Sequence, residues 1–107
     1  MQNAFVGRAS RTKPLRLAEK LKLIRETLGL SQDGMLIRLG LQNSSITRAS
    51  ISGYELDERE PPLLVLYAYS KTANVFMEVL VDDEISLPDM IPSPEKSLGK
   101  RPKKPSR

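Results

Sequence analysis

Apolar residues recur every three or four positions in the first part of the chain, which is the spacing of one face of an α-helix. The stretch 17–28 shows this pattern after Pro14, a residue that suits a first helical turn, and Gly29 ends it. Ser31 is placed to cap a second helix, because its hydroxyl accepts a hydrogen bond from a free backbone N–H group, and Gly40 ends that helix. The pattern therefore predicts two short helices joined by a tight turn.

Three further elements follow a polar, turn-like stretch at residues 41–45. Thr47 is a suitable N-cap for a third helix that includes Tyr54, and the apolar residues of the stretch 63–70 predict a fourth. Residues 75–81 are rich in β-branched side chains, so a short helix and a strand are both open for them. With a helix there, the sequence predicts an all-α bundle of five short helices.

Charge and proline content divide the chain into three parts. Residues 1–13 are expected to be a flexible basic arm, residues 14–87 the folded domain, and residues 88–107, with five prolines among Ser and Lys, a disordered basic tail. Seven Lys and Arg stand against two Asp and Glu in residues 1–30, and six against one in residues 93–107. Basic ends on a small domain suit a polyanion such as DNA, and the alternative is solvated surface.

Composition removes several classes of function. The chain of 107 residues has no Cys and no His, which excludes disulfides, thiolate zinc sites and imidazole general bases. No apolar run approaches the roughly 20 residues that cross a bilayer, so we expect a cytoplasmic protein. Carboxylates at residues 82–84 are of the type that binds Mg²⁺, but such a cluster without a partner motif is more often solvated surface. We expect no enzyme, no cofactor and no metal.

Two blocks of sequence form a more specific pattern. Arg25 precedes Gly-Leu-Ser-Gln at residues 29–32, and Ile-Ser-Gly-Tyr-Glu at residues 51–55 is followed by Pro61. With both blocks in this order, residues 16–81 resemble the Xre/Cro-repressor-like helix-turn-helix family. The resemblance implies a lambda-repressor-like bundle in a prokaryotic, sequence-specific DNA-binding transcriptional regulator. Its partner would be double-stranded DNA, and repression is the favoured mode.

The same resemblance implies roles for individual residues. Gln32 is expected to contact a phosphate at the start of the second helix, with plain helix capping as the alternative. Arg48 falls at a base-reading position, where its fork of donors suits guanine; a phosphate contact or a solvated side chain is the alternative. Arg59 is expected either at a phosphate or as a surface charge. The other candidate DNA contacts are Thr47, Ala49, Ser50, Ser52 and Gly53.

Three departures from the family pattern affect this region. Five extra residues, 41–45, lengthen the turn before the third helix, so that Ser44 or Ser45 is an alternative N-cap. Leu36 stands where the family generally has Ala, at the crossing of the second and third helices. Gly53 replaces a long polar side chain, which is expected to let the helix lie close to DNA.

The family also implies a partly buried ion pair between Arg25 and Glu55, each of which lies beside predicted core positions. A homodimer on DNA is expected because one recognition helix reads only a few base pairs. Residues 75–81 are the expected dimer interface, unless they complete the core. The rival function on the same fold is a protein-interaction module, such as the antitoxin of a toxin–antitoxin pair or a recruiting adaptor.

Overall fold

A computed structural model describes residues 12–102 of the chain and shows five α-helices. The only β-pairings between residues 12–102 are two isolated bridges, and no β-strand is present in this part of the chain. The structure confirms the prediction of an all-α domain with five helices, and it resolves residues 75–81 as a bridge residue followed by a helix. The helices are α1 Leu17–Thr27, α2 Gln32–Arg38, α3 Arg48–Glu55, α4 Leu63–Ala73 and α5 Met77–Val81.

The start of α1 depends on a residue from the far end of the domain. Pro14 lies before the helix instead of in its first turn, and Arg16 at the N-cap makes no capping bond with its own side chain. Instead, the carboxylate of Asp83 accepts the backbone N–H groups of Leu15, at 2.9 and 3.0 Å, and of Arg16, at 2.9 Å. A tertiary contact thus satisfies the N–H groups of the N-cap residue and of the residue before it.

Local side chains determine where α2 and α3 begin. Ser31 accepts the N–H of Gly34 at 2.9 Å, which confirms it as the N-cap of α2. Thr47 caps α3 through a reciprocal pair: its hydroxyl accepts the N–H of Ser50 at 3.4 Å, and the Ser50 hydroxyl accepts the N–H of Thr47 at 3.1 Å. Ser44 is therefore not the cap. Its hydroxyl stabilises the preceding turn by donating to the carbonyl of Leu41 at 2.7 Å.

One hydrophobic core joins all five helices and the segment that follows them. Leu36, at the crossing of α2 and α3, is partly buried and packs against this core. Val75, Val79 and Leu80 are fully buried in it, so these residues of the stretch expected as a dimer interface complete the core, while Phe76 and Val81 are exposed. The fully buried side chains with the largest volumes include Tyr69, Leu21, Ile24, Met35, Ile51 and Ile85.

Residues 82–102 pack back onto the helices, which corrects the expectation of a disordered tail for the part from 88 to 102. Leu87 and Ile91 are buried, and they supply apolar surface that holds the segment against the domain. Ser86 and Lys100 exchange backbone hydrogen bonds of 2.7 and 2.8 Å. The rest of the predicted tail, 103–107, and most of the predicted arm, 1–11, lie outside the described residues.

No helix within residues 12–102 is both long enough and apolar enough to cross a bilayer.

Candidate nucleic-acid interface

The first turns of α2 and α3 lie side by side at the surface. Thr47, Arg48 and Ala49 are all exposed where α3 begins. Nε of Arg48 lies 3.9 Å from Oδ1 of Asp33, which is in the first turn of α2. Backbone N–H groups at helix N-termini carry partial positive charge, so this surface combines two such ends with a cationic side chain.

Arg48 is an exposed cationic group at this surface. Its side chain is 67% exposed and that of Asp33 is 71% exposed, and the pair is at the outer limit of ion-pair distance. An exposed pair of this kind contributes little free energy, so Asp33 holds Arg48 only weakly. The guanidinium remains able to reorient toward a ligand. Asp33 was not among the predicted site residues, and the one signal for it in the sequence was its acidic side chain in the first turn of a predicted helix.

Ser50 lies on a different face of α3 from Arg48. It is buried, and its hydroxyl is engaged in the reciprocal cap with Thr47. This placement argues against the predicted DNA contact and gives Ser50 a structural role instead. Ser52 is half-buried. The exposed polar surface of α3 is therefore concentrated in its first turn.

Gly53 is covered by the side chain of Arg59 and is itself buried. A Cβ atom at position 53 would lie 3.0 Å from Cδ and 3.1 Å from Cγ of Arg59. The carbonyl of Gly53 also accepts the backbone N–H groups of Glu58, at 2.9 Å, and Arg59, at 3.1 Å. The structure therefore places Arg59 beside Gly53, and the expectation that Gly53 lets α3 approach DNA stays a prediction. Its missing side chain makes room for Arg59, which is exposed and lies across the end of the helix.

A buried ion pair fixes α3 relative to α1. Nε of Arg25 donates to Oε2 of Glu55 at 2.7 Å, and Nη2 donates to Oε1 at 3.0 Å. Nη1 of Arg25 donates to the carbonyl of Leu30 at 2.9 Å, in the turn before α2. The hydrogen bonds to Glu55 raise the pKa of Arg25 above its ordinary value, because the carboxylate stabilises the charged guanidinium.

Gln32 completes this network from the first position of α2. Its Nε2 donates to Oε1 of Glu55 at 3.3 Å, so part of the amide is directed inward. Tyr69 of α4 is close enough for the Glu55 charge to act on its hydroxyl. That hydroxyl has no hydrogen-bond partner among residues 12–102, and burial first, then Glu55, raises the pKa of Tyr69. The network thus holds the first turn of α2 and the last turn of α3 in one arrangement.

Acidic residues border the far end of α3. Asp57 adopts a left-handed backbone conformation with φ of 60° and lies 3.4 Å from Nζ of Lys13. This contact brings the beginning of the described chain to the C-terminal end of α3. It also neutralises one carboxylate of the acidic loop at residues 57–60.

The carboxylates at residues 82–84 act within the fold. Asp83 caps α1, and Oδ1 of Asp82 accepts the N–H of Glu84 at 2.9 Å. Within residues 12–102, no three acidic side chains come together as a metal-binding group would require.

No protein-family model, no curated protein and no solved structure matches this chain. The geometry of the surface, together with the two sequence blocks, therefore carries the interpretation.

Proposed function

We propose that this protein is a sequence-specific regulator of transcription that binds double-stranded DNA. In this proposal α2 and α3 form a lambda-repressor-like helix-turn-helix, and α3 is the recognition helix in the major groove. The observation that carries the proposal is the exposed first turn of α3, with Arg48 beside the first turn of α2. The function includes no catalytic step and no cofactor.

The rigidity of the surface supports this assignment. Base readout requires that a side chain be held in a fixed register relative to the phosphates, which other contacts supply. The Arg25–Glu55–Gln32 network joins α1, α2 and α3 through hydrogen bonds of 2.7 to 3.3 Å. Arg48 therefore lies on a helix whose orientation is fixed by hydrogen bonds to α1 and α2.

The proposed contacts with DNA are assigned from the charge and hydrogen-bonding groups of each side chain. Arg48 is assigned to a guanine edge, since its donors match the O6 and N7 acceptors. Arg59, which lies over Gly53, is assigned to a phosphate of the DNA backbone. Gln32 is assigned to a neighbouring phosphate through the part of its amide that Glu55 does not engage. Repression is the simplest mode for so small a domain, because occupancy of a promoter site is enough to exclude other proteins.

The protein is proposed to bind as a homodimer. The interface assigned here is the exposed apolar face of α4, formed by Leu63, Leu64 and Tyr67. It replaces residues 75–81, of which Val75, Val79 and Leu80 are buried in the core. Exposed apolar groups that lie together on one helix are typical of a surface that is covered by a protein.

Repeated selection from a pool of random duplexes tests the function directly. The expected result is enrichment of one motif with two related half-sites, and a specific affinity at least about a thousandfold above that for unselected duplex at physiological salt. Equal affinity for all duplexes, or no binding at low salt, would refute sequence-specific regulation.

An antitoxin or adaptor on the same fold is the second candidate. The exposed apolar face of α4 favours it, since a partner other than a second copy would also cover that face. Titration with duplex and size analysis of the purified protein separate the two. A monomer that binds no DNA, and becomes soluble at high concentration only with a partner, supports the interaction module.

A further inference from the structure

A cleft of about 320 Å³ lies between α1 and the segment that follows α5. On the α1 side it is lined by Arg16, Lys20, Leu23 and Thr27, which recur at intervals of three or four residues and so share one helix face. The opposite face of α1 packs on the core through Leu21 and Ile24 and carries Arg25. The cleft is therefore on the far side of α1 from the network that holds α3.

The lining charges of the cleft do not balance. Three cations line it, Arg16, Lys20 and Lys100, against two carboxylates, Glu19 and Asp89. Each carboxylate is already engaged: Arg16 lies 3.4 Å from Glu19, and Lys100 lies 2.5 Å from Asp89. Lys20 has no carboxylate within ion-pair distance among residues 12–102, although the charges of Asp83, Asp82 and Glu19 act on it from farther away.

Lys20 is an unusual residue in this position. It is 2% exposed, and its ammonium donates to the carbonyls of Val79 and Asp82, both at 2.8 Å. An ammonium has three donors, so one N–H has no acceptor within the described part of the chain. A buried cation that is held only by dipoles favours an anion nearby, because burial has removed most of its hydration.

Apart from Thr27 and Ser86, the uncharged residues of the lining are apolar. Leu23 is 50% exposed although it faces the cleft, while Leu87 and Ile91 are buried at the cleft wall. A volume of this size is at the lower end of the range for small-molecule sites, which are mostly apolar with a few polar groups at defined places. The combination fits a short aliphatic chain along the leucines with an anionic head beside the cations.

We propose that this cleft binds a small aliphatic carboxylate, with its chain along Leu23 and its head group near Arg16, Lys20 and Lys100. In the proposed complex the head group contacts donors of Arg16 and Lys100 that their partners leave open, and the buried ammonium of Lys20 adds positive potential beside it. The proposal does not depend on DNA binding, because the cleft is on the opposite face of α1. It places a ligand site within the helical domain itself.

The first test is a titration of the full-length protein with octanoate. NMR of the side-chain methyl groups detects the binding. Saturable shifts are expected at Leu23, Leu87 and Ile91. From butanoate to octanoate the affinity should rise about fourfold per methylene, the factor that corresponds to about 0.8 kcal/mol per buried CH₂. Octylammonium should bind at least about tenfold more weakly than octanoate, since it meets like charges.

Variants identify the site without disturbing the core. Leu23→Trp fills the cleft from an exposed position and should abolish the octanoate shifts, while Lys22→Trp, one residue earlier on the exposed side of α1, should leave them unchanged. Lys100→Gln should weaken binding about threefold, as one partly exposed ion pair does. The proposal would be overturned if octylammonium bound as tightly as octanoate, or if the NMR shifts did not saturate with octanoate. Shifts that persist in Leu23→Trp would also overturn it.

Discussion

Arg48 occupies the first position of α3, directly after the Thr47 cap, and its side chain is free of the core. Its neighbours cannot share its role: Ala49 is short, and Ser50 is buried in the cap. Gly53 has no side chain and lies under Arg59. At the scale of single residues, the base readout that we propose for α3 would therefore depend mainly on one guanidinium.

Arg48→Ala should weaken binding to the selected site by about 1–3 kcal/mol and relax preference at one base pair, while affinity for random duplex changes far less. Titration of both duplexes at several salt concentrations gives the comparison. Arg38→Ala is the matched control, since Arg38 is also exposed but lies in the last turn of α2. A uniform loss on all sequences, with a salt slope smaller by about one, would make Arg48 a phosphate contact.

At the scale of elements, the helices differ in how far their ends are encoded locally. Ser31 and Thr47 bond within three residues, so the starts of α2 and α3 were predictable from sequence. The cap of α1 was not, because Asp83 is 68 residues from Leu15. The prolines from residue 88 onward concealed the packing of Ile91 in the same way, since one buried residue among turn formers gives no periodic pattern.

The candidate site shows the same division. The Arg25–Glu55 pair was expected from the resemblance, and the structure contains it with two hydrogen bonds. The burial of Ser50 and of Gly53 was not foreseen. Ser50 is buried because it is half of a reciprocal cap, and Gly53 because the loop returns Arg59 over it. Both cases depend on a specific contact, of Ser50 with Thr47 and of Gly53 with Arg59. The type of a residue alone does not indicate such a contact.

The coupling of α1 to α3 gives a prediction for stability. Glu55→Ala leaves the partly buried guanidinium of Arg25 and the amide of Gln32 without their acceptor, so it should lower the free energy of unfolding by about 3 kcal/mol, the lower end of the range for breaking a buried pair. Glu58→Ala removes an exposed carboxylate from the adjoining loop and should change it by less than about 0.5 kcal/mol. Urea denaturation measures both. Equal midpoints for the two variants would show that the pair does not join the helices.

The long-range cap of α1 predicts a pH dependence. The backbone hydrogen bonds from Leu15 and Arg16 hold the pKa of Asp83 below its ordinary value of 3.8. A depressed pKa in the folded state means that the carboxylate stabilises the fold above the unfolded value, and that this stability is lost as pH falls through the folded pKa. Asp83→Asn should therefore lower Tm at pH 7, and the difference should narrow below pH of about 4.

Glu84→Gln is the control for this titration, because Glu84 is the exposed neighbour of Asp83. Its Tm should follow that of the unmodified protein across the pH range. A difference for Asp83→Asn that is the same at pH 3 and pH 7 would mean that the amide substitution perturbs packing, and that the charge of the cap does not contribute.

At the scale of the whole molecule, the final segment is part of the domain. Val75 pairs with Ser97 in a parallel bridge, Ser86 pairs with Lys100 in an antiparallel one, and Lys20 binds the carbonyls at the end of α5. These contacts connect α1, the residues next to α5 and the final segment to one another. The segment thus covers apolar surface that five short helices leave open.

Ile91→Ala tests whether this packing contributes to stability. Removing a buried side chain of this size should cost about 2 kcal/mol or more, since it deletes apolar burial and leaves a cavity. Met90→Ala changes the adjacent residue, which is exposed, and should cost less than about 0.5 kcal/mol. Thermal unfolding of the two variants gives the comparison. The same Tm for both variants would show that the packing of residues 88–102 does not contribute to stability, as in a loosely attached tail.

The proposed homodimer belongs to the scale of the whole molecule. α3 has eight residues and one long exposed side chain in its first turn, so a single copy would contact few base pairs in the proposed complex. Two copies related by a two-fold axis would contact half-sites about 34 Å apart, one turn of the double helix. Leu64 is 74% exposed on the α4 face assigned to the interface, and a charge there should prevent pairing without disturbing the core.

Leu64→Glu should therefore weaken binding to a duplex with both half-sites by at least about tenfold, and leave binding to a single half-site unchanged. Met90→Glu is the matched control, because Met90 is exposed on the final segment, and it should bind both duplexes as the unmodified protein does. Sedimentation of each protein with duplex gives the stoichiometry. If the unmodified protein binds one half-site as tightly as two, or if Leu64→Glu still forms a two-to-one complex with the paired site, α4 is not the interface. The exposed leucines would then belong to a different protein partner.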